Sequence, residues 1–180
     1  MENRVITALD FPTRNDVHEF IGLFQNEPLS VKVGMELFYR NGPAVVSDLK
    51  NRGFGVFLDL KLHDIPNTVK RAMKGLAGLG VDMINVHAGG GRTMMEAALE
   101  GLDQGTASGK DRPICIAVTQ LTSTTQEMMR DELLISGTLE KVVASYAKTA
   151  QSAGLDGVVC SPLESQAIKL VCGQRFLTVT

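Results

Sequence analysis

Short runs in which apolar and polar residues alternate are separated, along this chain, by longer stretches whose apolar residues recur every three or four positions. The first pattern buries one face of a β-strand, the second one face of an α-helix. Residues 4–10 read as an apolar strand ending on an acid. Thr13 stands where it caps a helix carrying Val17, Phe20, Ile21 and Phe24 at i, i+3, i+4 and i+7. Residues 30–34 form a second strand, with Val31 and Val33 on one face and Lys32 on the other. A helix over 42–52 turns Val45, Val46 and Leu49 inward and closes at Gly53. The third strand begins at Phe54 and sets Val56, Leu58, Leu60 and Leu62 against Phe57, Asp59 and Lys61. Asp64 follows, and Pro66 suits the first position of a helix to about Leu79, with Val69, Ala72, Met73 and Leu76 inward.

Residues 82–88 make a fourth strand in which Ile84 and Val86 alternate with Asn85 and His87. Gly89-Gly90-Gly91 then leads into a helix with Met94, Met95, Ala98, Leu99 and Leu102 inward. A polar link over 104–112 precedes a fifth strand at 113–121, and a Thr/Ser-rich loop follows at 121–125. Leu139, Val142, Val143, Tyr146, Ala147 and Ala150 mark the next helix. Residues 157–161, 164–171 and 176–180 read as strand, helix and strand.

Strand and helix alternate throughout, which implies parallel strands with helices outside them. An open doubly wound sheet and a (β/α)8 TIM barrel both satisfy the alternation. The barrel is preferred because polar residues recur at the C-terminal ends of successive strands: Asp10, Lys32, Asp59 with Lys61, His87, then Gln120 and Thr122. Barrel active sites are built from those ends, whereas an open sheet gathers its site at one switch point. Residues 1–180 are thus expected to form a single barrel domain, truncated within or just after its seventh strand. The phosphate-binding loops of such barrels usually follow strands seven and eight.

Charge changes this picture little. The formal net charge of −2 over 180 residues gives no electrostatic grip on nucleic acid or anionic membrane. No apolar run is long enough to span a bilayer, and no basic-then-apolar leader opens the chain. Cys115, Cys160 and Cys172 lack both zinc spacing and a disulfide framework, and are expected as reduced, mostly buried thiols of a cytosolic protein.

The chemistry concentrates on the third strand. Asp59 and Lys61 stand roughly 6–7 Å apart along one face. Desolvating charges there costs more than structural pairing readily returns, so a functional role is the better reading of the pair. Asp64 is read equally as a helix cap or as part of the chemistry, and Asn67 as a second capping candidate. His87 is expected as a hydrogen-bonded residue of the barrel mouth and His63 as a packing or interface residue. The glycine triplet serves a tight turn or cradles phosphate, and the Met pairs are packing or loop residues. No P-loop or dinucleotide fingerprint is present.

Ala8-Leu9-Asp10, the run from Val31 to Phe38 (VKVGMELF) and above all that from Phe57 to Thr68 (FLDLKLHDIPNT) resemble the orotidine 5'-phosphate decarboxylase family, bacterial type. So do Val86-His87-Ala88, Ala117 to Ser123 (AVTQLTS) and Gly154 to Ser161 (GLDGVVCS), so the likeness covers the chain. The resemblance implies loss of CO2 from orotidine 5'-phosphate to give UMP, the last step of pyrimidine nucleotide synthesis, without cofactor or metal, in a cytoplasmic homodimer. It implies that Lys61 donates a proton to C6 of the pyrimidine and that Asp59 sits beside the substrate carboxylate. Asp10 and Lys32 would bind ribose hydroxyls, with Lys32 also in the charge chain. Asp64 and Thr68 would enter the neighbouring subunit's site with Ile65 beside them, Pro66 and Asn67 would belong to the same substrate-binding turn, and Thr122 would lie against the pyrimidine. The family's phosphate-gripping loop after strand seven and its arginine after strand eight have no counterpart up to Thr180.

The residue types suit that reaction. Decarboxylation of an sp2 ring carbon leaves an electron pair that the ring does not delocalise, and a fixed cation aimed at it lowers the barrier. A lysine between two acids is such a cation and also a proton source. The rivals are a 3-keto-gulonate 6-phosphate decarboxylase using the same acids around Mg2+, a Schiff-base aldolase, and a non-catalytic phosphosugar-binding subunit.

Overall fold

The computed structural model describes residues 5–24, 27 and 29–180. Strands and helices alternate as β1 Ile6–Ala8, α1 Arg14–Gly22, β2 Ser30–Gly34, α2 Met35–Asn41, α3 Ala44–Asn51, β3 Gly55–Leu62, α4 Pro66–Ala77, β4 Met83–His87, α5 Gly91–Gly105, β5 Ile114–Val118, α6 Leu139–Ser152, β6 Gly157–Val159, α7 Pro162–Cys172 and β7 Leu177–Val179. The strands share one sheet in the order β1-β2-β3-β4-β5-β6-β7, and β1/β2, β2/β3, β5/β6 and β6/β7 pair parallel. Unbroken sequence order is the winding of a (β/α)8 barrel. A doubly wound sheet reverses direction at a switch point, and none occurs here. These are seven of such a barrel's eight strands.

The chain divides into two compact units. Met1–Leu60, Arg71–Ile84 and Gly101–Ile114 make up the first; Lys61–Lys70, Asn85–Glu100 and Cys115–Thr180 the second. In the first, Val17 and Ile21 of α1, Val45, Val46 and Leu49 of α3, and Val31, Val33, Val56 and Leu58 of the strands are buried. Phe57 is buried too, so β3 is covered on both faces, as parallel strands are. Met94, Met95 and Ala98 of α5, with Val142, Val143, Ala147 and Ala150 of α6, are buried within the second. The expected cap at Thr13 holds, and two further helices carry caps of the same kind. Thr13 forms a capping box with Asp16, Ser161 forms one with Glu164, and Thr138 caps α6.

Three local differences stand out, and two have physical causes. Helix α2 went unpredicted because seven residues hold too few turns to show a repeat, and only Leu37 among them is buried. Met128–Glu132 forms a π-helical turn around buried Met129, in a segment whose polarity reads as loop. Strand β1 is shorter than residues 4–10, of which Arg4 lies outside the described residues.

Candidate active site

The register of β1, β2 and β3 builds the first half of the site. Ala8 lies opposite Lys32, Lys32 opposite Phe57, and Gly34 opposite Asp59. Residues two apart along a strand share a face. Asp10, two residues beyond Ala8, therefore comes level with Gly34 and Asp59, and Lys32 starts one rung below two carboxylates. Its side chain climbs between them: Nζ lies 3.5 Å from Asp10 Oδ1 and 3.4 Å from Asp59 Oδ2. Gly34 leaves the path open, since a Cβ there would stand 3.7 Å from Nζ. The surroundings grade from dry to wet, with side chains 11% exposed at Asp59, 25% at Lys32 and 76% at Asp10. The Lys32–Asp59 attraction is thus the better insulated of the two.

Two residues past Asp59 the strand departs from regular geometry. Lys61 has φ +52°, and only Leu134 joins it among the described non-glycine residues with positive φ. That left-handed conformation costs about 1–2 kcal/mol in a residue with a Cβ. The Lys61 N–H donates to Asn85 Oδ1 at 2.8 Å, and Asn85, on β4, is fully buried. Strain of this kind persists where the surroundings over-determine it, and it gathers at functional sites. Past this break the alternation no longer assigns faces. The His63 ring packs against His87, on β4, with centroids 5.6 Å apart and planes at 43°.

The glycine triplet is closely packed at one position and left-handed at another. A Cβ on Gly90 would collide with Met94 Sδ at 2.1 Å, Gly89 abuts His63, and Gly91 has φ +79°. Helix α4 starts at Pro66, as expected. The Ile65 carbonyl accepts from the Thr68 and Val69 N–H groups, and Asp64 Oδ1 accepts from the Ile65 N–H at 2.6 Å. Asp64, Ile65, Asn67 and Thr68 are exposed, Ile65 at 67%.

Thr122 is exposed and lines a cleft of about 480 Å3 with Gln120, Thr124, Ser161 and Glu164. Asp10, Lys32, Asp59 and Lys61 are not among that cleft's lining residues. A larger cavity, about 730 Å3, lies at the N-terminal ends of β3–β5. There Lys50 Nζ contacts Asp82 Oδ2 at 2.6 Å, and the same oxygen takes the Val56 N–H at 2.7 Å. That end of a barrel serves stability rather than chemistry.

The structure thus gathers Asp10, Lys32 and Asp59, gives Lys61 an unexpected backbone, and sets Asp64 to Thr68 in one exposed turn. Sequence reasoning missed Asn85 as a partner of Lys61; the available signal was an amide inside an otherwise apolar strand. Cys115, Cys160 and Cys172 are buried, as expected, and none is in a disulfide among the described residues. Burial pushes the Cys160 thiol up to about 11. Among the described residues no cluster of His, Cys, Asp or Glu has metal-binding geometry, and no helix is long and apolar enough to cross a membrane.

Known proteins match this chain over nearly its whole length. Residues 3–180 match the model of the orotidine 5'-phosphate decarboxylase / HUMPS family. A Bacillus anthracis protein named orotidine 5'-phosphate decarboxylase is 61% identical over 180 residues, all of this chain and 76% of its own length. One of the same name from Bacillus cereus is 60% identical over the same span. The crystal structure of an uncharacterized conserved protein from Geobacillus kaustophilus matches with TM-score 0.95 and 62% identity, over 96% of this chain and 80% of that one. That of orotidine 5'-phosphate decarboxylase from Lactobacillus acidophilus gives 0.91 and 42%, over 98% and 79%. With a sheet wound in barrel order and matches of that extent, this chain belongs to the orotidine 5'-phosphate decarboxylase / HUMPS family.

Proposed function

We propose that this chain removes CO2 from orotidine 5'-phosphate to give UMP, with residues 1–180 working as one catalytic domain in the cytoplasm. The observation that carries the reading is the lysine-bridged acid pair Asp10–Lys32–Asp59, followed two residues later on β3 by a left-handed Lys61.

In this reading Asp10 and Lys32 hold ribose hydroxyls, and the buried Asp59 lies beside the substrate carboxylate. The C6–carboxylate bond breaks heterolytically. Neutral CO2 leaves, the electron pair stays on C6, and the Lys61 ammonium first stabilises that charge and then gives C6 a proton. The lysine is left as an amine and regains a proton from water. Lys32, Asp59, Lys61 and Asp64 sum to zero charge before substrate binds. Repulsion between Asp59 and the substrate carboxylate disappears with CO2, and it ranks second to stabilisation of the transition state. Thr122 borders the pyrimidine.

The exposed turn is assigned to a second copy of the chain. Asp64 and Thr68 reach the neighbouring subunit's site, Ile65 seats at the interface, and Pro66 and Asn67 shape the turn. The exposure of Ile65 beside Asp64 supports this.

Turnover is measured as loss of pyrimidine absorbance from orotidine 5'-phosphate. Lys61→Ala is expected to lower kcat by at least roughly a thousandfold while the protein stays folded, because charge stabilisation is often the largest contribution to catalysis. Near-normal turnover in that variant rejects the assignment. Activity abolished by EDTA and restored by Mg2+ transfers the reading to an Mg2+-dependent decarboxylase of the same family. Mixing Lys61→Ala with Asp64→Ala subunits is expected to regain activity. Silence despite demonstrated subunit exchange places Asp64 in its own chain's site.

A further inference from the structure

We propose that Asn85 is the positioning residue of Lys61. Its buried side-chain carbonyl holds the lysine backbone in the left-handed conformation and so sets where the ammonium stands when it protonates the substrate carbon. The inference rests on Lys61 being the proton donor.

Three observations meet here. Lys61 adopts φ +52° at the end of an eight-residue strand, where an extended backbone is the default. Its N–H donates to a side chain, Asn85 Oδ1, at 2.8 Å. That side chain belongs to a residue with no exposed surface, in a strand whose neighbours Ile84 and Val86 are equally buried. An amide so placed is costly unless its polar groups are used, and strongly fixed when they are.

The direction of a side chain is set at its own Cα. If Lys61 relaxed to the extended region, its Cα–Cβ bond would swing and the ammonium, at the end of a four-carbon stem, would move much further than the bond. A misplacement of about 1 Å already costs roughly 100-fold in rate. Asparagine meets the need better than its relatives. Leucine keeps the branched shape without an acceptor, while aspartate keeps the acceptor and adds a charge. The same hydrogen bond fixes the last residues of β3, from which the turn carrying Asp64 departs.

The test compares Asn85→Ala, Asn85→Leu and Asn85→Asp with Lys61→Ala. In Asn85→Ala and the shape-mimicking Asn85→Leu, kcat is expected to fall by roughly 100-fold, with KM within about threefold because ground-state binding is spared. Crystal structures of both are expected to show φ of residue 61 outside the positive region. Asn85→Asp is expected to retain positive φ and to recover most of the lost kcat, even though it is the less stable protein. A folded Asn85→Ala or Asn85→Leu with kcat within about threefold of the parent overturns the inference. So does a kcat loss that simply follows the melting temperatures of all three variants. Lys61→Ala separates the two claims. If it is inactive while Asn85→Ala is normal, the positioning role alone fails; if it stays active, the proton-donor reading fails first.

Discussion

Replacing Lys32 with methionine removes the cation between Asp10 and Asp59 while keeping a stem of similar length. At 3.4 Å and an effective dielectric of about 20, the attraction to Asp59 is about 5 kcal/mol before any desolvation is counted. The attraction to Asp10, at 3.5 Å from a largely exposed carboxylate, falls to about 1 kcal/mol in a water-like dielectric. The methionine variant no longer desolvates an ammonium, which returns part of the larger figure. It leaves Asp59 buried and short of one cation. Breaking a fully buried pair costs about 3–5 kcal/mol, and Lys32 is a quarter exposed, so about 3 kcal/mol is expected.

For a chain of this size that corresponds to a melting temperature lower by about 6–12 °C. Urea denaturation at low salt and at 1 M NaCl measures the loss and locates it. The Debye length shrinks to about 3 Å at 1 M salt, which screens the exposed Asp10 contact and leaves the buried Asp59 contact nearly intact. The deficit of Lys32→Met is therefore expected to survive high salt, while the smaller deficit of Asp10→Asn vanishes. Adding Asp59→Leu to Lys32→Met is expected to return at least half the lost stability without restoring turnover, because an apolar pair tolerates burial better than a lone carboxylate. A Lys32→Met protein as stable as the parent, or a deficit abolished by salt, would refute the assignment of the Lys32–Asp59 pair as an insulated one.

Gly34→Ala is expected to keep kcat within about threefold, as its Cβ meets Nζ at an ordinary 3.7 Å, whereas Gly34→Leu fills the gap that Lys32 climbs through and should lower kcat by roughly 100-fold; equal activities would show the gap is irrelevant. Gly105→Ala should destabilise by about 3 kcal/mol, since its Cβ would sit 2.1 Å from the Lys74 carbonyl oxygen. Gly75→Ala, inside α4 with open space around it, should stabilise by about 0.5–1 kcal/mol, and denaturation midpoints check the opposite signs. Because burial lifts Cys160 from 9.0 to about 11, its thiol should resist iodoacetamide at pH 8 in the folded protein, as peptide mass spectrometry would read. The sign follows: this stabilising contribution is complete below about pH 9 and lost as pH rises through about 11. Labelling at the rate of a free thiol would contradict that burial.

The strand-and-helix order and the gathering of Asp10, Lys32 and Asp59 were legible in the chain because both follow from alternation. Alternation assigned Lys32 and Asp59 to faces opposite their apolar neighbours, and polar residues at successive strand ends marked the barrel mouth. The rung on which they meet depends on register, and register appears only when Gly34 is seen opposite Asp59. Helix α2 escaped notice because a seven-residue helix burying one leucine has no period to detect. His63, read as a packing or interface residue, does pack: its ring meets that of His87.

The two features that most shape this site leave no hydropathy signal, for related reasons. Gly34 acts by lacking a side chain, so the ammonium of Lys32 passes through space that any other residue would narrow. Lys61 acts through a backbone angle that its own residue type disfavours, held by an amide on another strand. Local propensity opposes both: glycine weakens a strand and a left-handed lysine strains one. Conflict between local preference and observed conformation is expected where a protein spends stability on chemistry. Here both conflicts fall on the same strand pair and flank the same carboxylate, Asp59. A site built only for stability would have replaced Gly34, relaxed Lys61 and made Asp59 apolar. That Gly34 and Asp59 both persist beside the Lys32 ammonium is the physical support for the proposed catalytic reading of this end of the sheet.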